Sequence, residues 1–313
     1  MYKLKNDELT IMVSPHGAEL TSIVDNTTGR EYMWQADPAY WGRTSPVLFP
    51  FVGGSNAGHY RVDGVSYPMT QHGFARDCEF QFESLDEGDE ESTIRFLLES
   101  HDGASKNYPY DFDLIIGYTL HGRAVTVTWE VVNCGTQDML FSIGAHPAFH
   151  CPAEGHFFVL EHIIQEDDSS LEINANRLKK MSSLDKVLRL DEVRSRRIVD
   201  GLASDVIDTY SLEDGYLPIH NELFQYDALV IEEKQVQQVS LADEKKEIYL
   251  TVTFDMPLVG LWSPPGKNAP FVCIEPWCGR CDVLDFEGEL QDRAYINRLK
   301  DGERFEQLYV IQV

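Results

Sequence analysis

Residues 112–132 constrain the fold more than any other stretch. Between Phe112 and Leu120, the residues Leu114, Ile116, Tyr118 and Leu120 occupy alternate positions. Between Ala124 and Val132, Val125, Val127, Trp129 and Val131 do the same. Apolar residues at a period of two mark a strand with one buried face, and His121-Gly122-Arg123 joins the two runs. Similar short runs recur along the chain. They cover Leu9 to Val13, Glu19 to Val24, Glu31 to Trp34, Cys78 to Ser84, Thr93 to Glu99, Met139 to Ile143, Asp227 to Glu232, Gln235 to Leu241, Ile248 to Phe254, Phe271 to Glu275 and Gln307 to Val313. The acidic run Asp86 to Glu91 reads as the turn between two of them. Tyr60 to Tyr67 reads as a hairpin, because Asp63-Gly64 supplies the positive φ angles of a tight turn. Many strands with frequent turn signals predict an all-β protein, a large antiparallel β-sandwich with few short helices. Pro46 to Gly54 is apolar but framed by proline and glycine, and reads as a buried, irregular segment rather than a central strand. Residues 165–220 are charged with small apolar clusters, and some helix is expected there. No fixed-period repeat, low-complexity tract or linker divides the chain, so 1–313 reads as a single domain.

The charge balance removes several classes of function. With 26 basic and 52 acidic residues the net charge is −26, which disfavours nucleic acid and anionic membrane surfaces as partners. A neutral small molecule remains compatible. Met1 to Asp7 lacks an apolar signal core and no run reaches the ~20 apolar residues of a membrane span, so a cytoplasmic location is expected. The six cysteines are sparse for a disulfide framework and are expected to be reduced. No glycine-rich phosphate loop and no Gly-x-Ser-x-Gly elbow is present, and neither a nucleotide nor another cofactor is expected.

Three stretches carry residues suited to chemistry. His146, in Gly144-Ala145-His146-Pro147-Ala148-Phe149-His150, follows a strand-like run and is bracketed by a glycine and a proline. Such a histidine sits on the rim of a scaffold. His72 lies in Gln71-His72-Gly73-Phe74-Ala75-Arg76, and Glu275 in Cys273-Ile274-Glu275-Pro276-Trp277. A glutamate inside an apolar segment is rarely buried without a partner, and desolvation raises its pKa toward the range of a general base. A structural ion pair to Arg43 or Arg76 is the plainer alternative for Glu275. A loop hydrogen bond is the plainer one for His72, and core packing for Trp262 and Trp277, which otherwise suit the apolar face of a sugar. His146 and His150 have i, i+4 spacing, but Pro147 and the β context spoil a shared helical face, so no metal is expected. Trp277-Cys278-Gly279-Arg280-Cys281 looks like a redox motif. It lacks the strand–helix setting that lowers a thiol pKa, and the cysteines are expected not to be catalytic.

Four motifs in order resemble the aldose 1-epimerase (galactose mutarotase-like) family over most of the chain, closest to its shorter, lactose-operon-associated branch. They are Gly42-Arg43-Thr44-Ser45-Pro46-Val47-Leu48-Phe49-Pro50, Gln71 to Arg76, Gly144 to Phe149 and Phe271 to Trp277. In galactose mutarotases proper, Tyr and Asn usually follow the second histidine motif. Ala148-Phe149 stand here, which leaves the preferred sugar open. The resemblance implies a sugar cleft across one sheet and cofactor-free interconversion of α- and β-anomers of a neutral hexose. It makes His146 the general acid on the ring oxygen and Glu275 the general base on the anomeric hydroxyl. His72 and Arg43 would hold the sugar, with Asp227 on a hydroxyl and Arg76 as a further ligand. The implied partner is a small-molecule sugar, and the implied state a monomer or homodimer. The alternatives are a hexose-6-phosphate 1-epimerase and a non-catalytic carbohydrate-binding protein on the same fold.

Overall fold

The computed structural model describes residues 1–100, 107–152, 154–164 and 186–313. Among these, two large antiparallel sheets dominate. One is ten-stranded. Its main path runs through Lys186–Arg189, Phe157–Ile164, Gln238–Ala242, Ile248–Phe254, Arg304–Gln312, Ala124–Asn133, Phe112–His121, Glu91–Glu99 and Gln81–Glu87, with Tyr216–Pro218 attached to the second of these. The other is eight-stranded. Its path runs through Leu202–Ser211, Glu192–Val199, Leu229–Ile231, Leu258–Trp262, Phe271–Cys278, Ile143–Ala145 and Val47–Leu48, with Ala148–His150 paired to Phe271–Cys278. The regular helices described are 3₁₀ turns of three or four residues. The large antiparallel β-sandwich predicted from the alternation is the architecture found.

The hairpin at 112–132 forms as expected, with Leu114 opposite Val131 and Leu120 opposite Val125. Both stripes are buried, from Leu114 and Val125 at 0% exposure to Tyr118 at 3%. They join the core between the sheets, which also takes Val272 and Ile274 from the eight-stranded sheet. Truncating a fully buried aliphatic here to alanine should cost about 2–5 kcal/mol. The turn at Asp63-Gly64 has φ of 50° and 76°, as the hairpin reading requires.

Some boundaries differ from the sequence reading. Glu31 to Trp34 is not a strand and makes only isolated bridges, Val24 to Glu31 and Met33 to Phe149. Met139 to Ile143 breaks at Ser142. Met139–Phe141 pairs with Asn297–Leu299, while Ile143–Ala145 enters the eight-stranded sheet. Ser142 marks the change, its Oγ accepting from the Val52 amide at 2.9 Å. The expected helix in 165–220 is absent from its described part. Glu192–Val199 and Leu202–Ser211 form a hairpin instead, while residues 165–185 lie outside the described residues. This hairpin sits at the sheet edge, so its outward positions carry charges such as Arg197, which pairs with Asp208 at 2.6 Å, and Ser195 occupies an inward position. That combination hides the period of two.

Candidate active site

One strand builds the floor of the site. In Phe271–Cys278, Val272, Ile274 and Cys278 point into the sandwich core. The intervening Phe271, Cys273 and Trp277 belong to clusters on the opposite face, and Glu275 shares that face by the same alternation. The next strand but one repeats the arrangement, with Val230 on this face and Leu229 and Ile231 in the core. Register then places the histidine. Gly144 is opposite Trp277 and Ala148 is opposite Cys273, so three residues face three and His146 falls opposite Glu275. On the other side Glu275 is opposite Gly260, which has no side chain to fill the space above the carboxyl.

His146 Nε2 and Glu275 Oε2 are 3.3 Å apart, with side-chain exposures of 9% and 1%. Glu275 Oε1 and Oε2 and His146 Nδ1 are buried without a hydrogen-bond partner in the protein. Buried polar groups are normally satisfied, and exceptions point to a role or to a bound partner. Burial raises the Glu275 carboxyl well above the usual carboxylate range, with the nearby Asp227 charge adding to the effect. Burial pushes the His146 imidazole down to about 3, and Arg76 and Arg43 act in the same direction. Both shifts act in favour of the uncharged forms, which places the transferable proton on the carboxyl side of the pair. The plainer alternative for Glu275, an ion pair to Arg43 or Arg76, is not the contact found, since its carboxyl faces His146 instead.

The other predicted residues gather around this pair to different degrees. Gln71, His72, Arg76, Asp227 and the pair itself line one cavity of about 820 Å³, counting its open mouth. His72 Nδ1 accepts from the Gly53 amide at 3.1 Å, so the neutral ring carries its proton on Nε2. Burial, followed by the neighbouring His146, holds its pKa well below the ordinary histidine value. Its φ is 68° and that of Asp227 is 70°, strained conformations that cluster at functional sites. Burial raises the Asp227 carboxyl, opposed by hydrogen bonds from Trp262 and the Ala228 amide. Arg76 donates to the Gln71 carbonyl at 2.7 Å, and its buried Nε has no hydrogen-bond partner. Arg43 is not part of the cavity lining. Its guanidinium pairs with Asp77 at 2.7 Å, and Arg76 faces the same carboxylate at 3.8 Å.

Trp41 is the aromatic lining residue that motif reading did not assign to the site. Its indole stacks on the His146 ring at 4.8 Å and 27°, while Trp262 meets that ring edge-on at 5.4 Å. It comes from an irregular loop tied down by Lys267 Nζ donating to the Tyr40 carbonyl. The aromatic run around Tyr40 was the available signal.

Cys273 brings its sulfur to the pair, so that donor atoms of His146, Cys273 and Glu275 lie within 4.8 Å of one another. Burial and the adjacent Glu275 raise that thiol well above its ordinary range, which disfavours the thiolate a metal would require. Cys278 ends a strand and Cys281 follows it, and among the described residues neither opens a helix. Burial pushes them up to about 12 and about 11, the reverse of what redox catalysis needs.

A profile of the family described as Aldose 1-epimerase matches residues 1–311. A curated relative, the chromosomal protein LacX of Lactococcus lactis subsp. lactis, is 31% identical over 99% of this chain and 98% of its own length. The crystal structure of a galactose mutarotase related enzyme from Lactobacillus acidophilus matches with a TM-score of 0.83 and 30% identity, covering 99% of this chain and 96% of the other. A galactose mutarotase-like protein from Lactobacillus casei shares the fold, with a TM-score of 0.80 at 24% identity over 100% and 99% of the two chains.

Proposed function

The chain belongs to the aldose 1-epimerase family, and on that premise we propose that it interconverts the α- and β-anomers of a neutral hexose, with His146 and Glu275 as the acid–base pair. The observation that carries the reading is the buried, unpartnered carboxyl of Glu275, 3.3 Å from His146 on the cavity floor. Ring opening breaks the C1–O5 bond, takes a proton from O1 and gives one to O5. The 3.3 Å contact lets the proton pass from the carboxyl to Nε2 once O1 and O5 of the sugar are in place to stabilise the two charges. His146 then protonates O5 while the Glu275 carboxylate takes the O1 proton. The open-chain aldehyde turns about C1–C2, and closure on the other face reverses both transfers. The chain's own groups carry every step. His72 Nε2–H and Arg76 are donors for the sugar, Asp227 accepts from a hydroxyl, and Arg43 acts through Asp77 on Arg76.

Retention of an uncharged buried carboxyl favours catalysis over sugar binding alone, since binding does not need an acid–base pair across the anomeric centre. A phosphate would need two or three uncommitted cations, whereas Arg43 and Arg76 both face Asp77. Polarimetry on freshly dissolved α-anomers tests the reading, with the spontaneous rate subtracted. Glucose or galactose should be accelerated with a higher kcat/KM than glucose 6-phosphate. A clear preference for the phosphate would reverse the choice of substrate.

A further inference from the structure

The cavity has two unlike walls. One is aromatic, with Trp41 and Trp262 against His146. The other is aliphatic. Val52, Ile198, Val230 and Cys281 pack with Trp277 in a buried cluster of their own, separate from the sandwich core, and all five line the cavity. The Trp277 indole lies against Gly144 and Gly260, where an added Cβ would come within 2.5 and 2.6 Å of the ring. Its Nε1–H is already donated to the Ala145 carbonyl at 3.2 Å. The aliphatic wall therefore offers carbon and a weakly polar thiol, with no strong side-chain donor or acceptor. It begins at the His72 corner, because Gly53, whose amide holds His72 Nδ1, packs against Cys281.

Resting on the mutarotase reading, we infer that this wall receives the exocyclic substituent at C5 and selects 6-deoxyhexoses, which carry a methyl there, over hexoses with a hydroxymethyl. The acid–base pair fixes O1 and O5. C5 is bonded to O5, so its substituent leaves the ring beside the ring-oxygen corner formed by His146 and His72, whose ring centroids are 5.6 Å apart. From that corner the Gly53–Cys281 side of the wall is next. Against Val52, Trp277 and Cys281 a hydroxyl loses water without gaining a side-chain partner, whereas a methyl gains apolar contact. A difference of one small group against an apolar surface is worth about 10–200-fold.

The test compares α-anomers in the galacto and gluco series, each as the hexose, the 6-deoxyhexose and the pentose that lacks the substituent. Mutarotation is followed by polarimetry, and binding by quenching of tryptophan fluorescence. The 6-deoxyhexose should exceed its hexose by about tenfold or more in kcat/KM and in affinity, with the pentose between them. Val52→Asn, next to Gly53 on the His146 flank of the wall, should bring that ratio toward one. Both rates come from one preparation, so any loss of folded protein cancels. A hexose that binds and turns over at least as well as its 6-deoxy counterpart overturns the inference, as does a ratio untouched by Val52→Asn. If no sugar turns over but the ranking persists in binding, the mutarotase reading falls and the subsite stands.

Discussion

The pH dependence of the reaction follows from the proton shared by Glu275 and His146. Activity requires one proton on the pair. Adding a second means protonating His146, whose burial holds its pKa near 3 rather than 6.5. Removing the only one means ionising Glu275, which burial raises well above 4.5. The kcat/KM profile should therefore be a bell whose acid limb lies below the ordinary histidine range and whose alkaline limb lies above the ordinary carboxylate range, both reporting the coupled pair. The titratable groups around the imidazole are Glu275, His72, Cys273 and Arg76, with the charge of Arg43 acting from outside the cavity lining. An acid limb at 6.5 would contradict this protonation state. Trp41 adds a separate effect, since the face of an indole attracts an imidazolium by about 0.5–2 kcal/mol. Trp41→Leu should lower kcat by about tenfold and move the acid limb further down, with Trp41→Phe intermediate. Unchanged profiles in both variants would remove Trp41 from the mechanism. His146 and Glu275 stood out in the sequence because they stand at the end of, or within, apolar runs, whereas His72 stood out only through its motif. Trp41 did not, because only the folded loop reveals what its ring covers. The Arg43–Asp77 pair depends on a side-chain rotation that no motif encodes.

The strand elements explain why acid and base meet. Gly144 opposite Trp277 and Ala148 opposite Cys273 leave His146 no choice but to face Glu275. The Leu258–Trp262 strand on the other flank was not legible. Gly260 interrupts it, prolines crowd both ends, and a glycine in a run weakens a strand reading. The same glycine is what the site requires, because a Cβ at 260 would lie 2.6 Å from the Trp277 ring. Gly260→Val should push the indole off the floor, costing about 1–3 kcal/mol of stability and lowering kcat/KM. Urea unfolding and near-ultraviolet circular dichroism of the tryptophans read the two effects. A wild-type unfolding midpoint and spectrum would mean that the close approach is not structural. The edge hairpin at 192–211 was hidden for a different reason. Its outward charges and inward serine interrupt the apolar stripe, and the Arg197–Asp208 ion pair supports the pairing across the two strands.

At the scale of the molecule, the sandwich was the most legible feature, since alternation over 112–132 admits no other secondary structure. The division into two sheets was not, because strands adjacent in sequence, such as Met139–Phe141 and Ile143–Ala145, belong to different sheets. The cavity follows from that division, lying on the face of the eight-stranded sheet turned away from the core. Keeping an uncharged carboxyl there has a consequence for stability. Its folded pKa is raised, so its contribution favours folding below the ordinary 4.5 and is lost as pH rises toward the folded value. At pH 7 a neutral isostere should therefore be no less stable than the native residue. Glu275→Gln is thus the most direct measurement of the central claim. The variant should keep or raise the melting temperature at pH 7 and still bind sugar, while kcat for mutarotation falls by about 10²–10⁴-fold. A folded Glu275→Gln protein with near-wild-type mutarotation would contradict the assignment of Glu275 as the base.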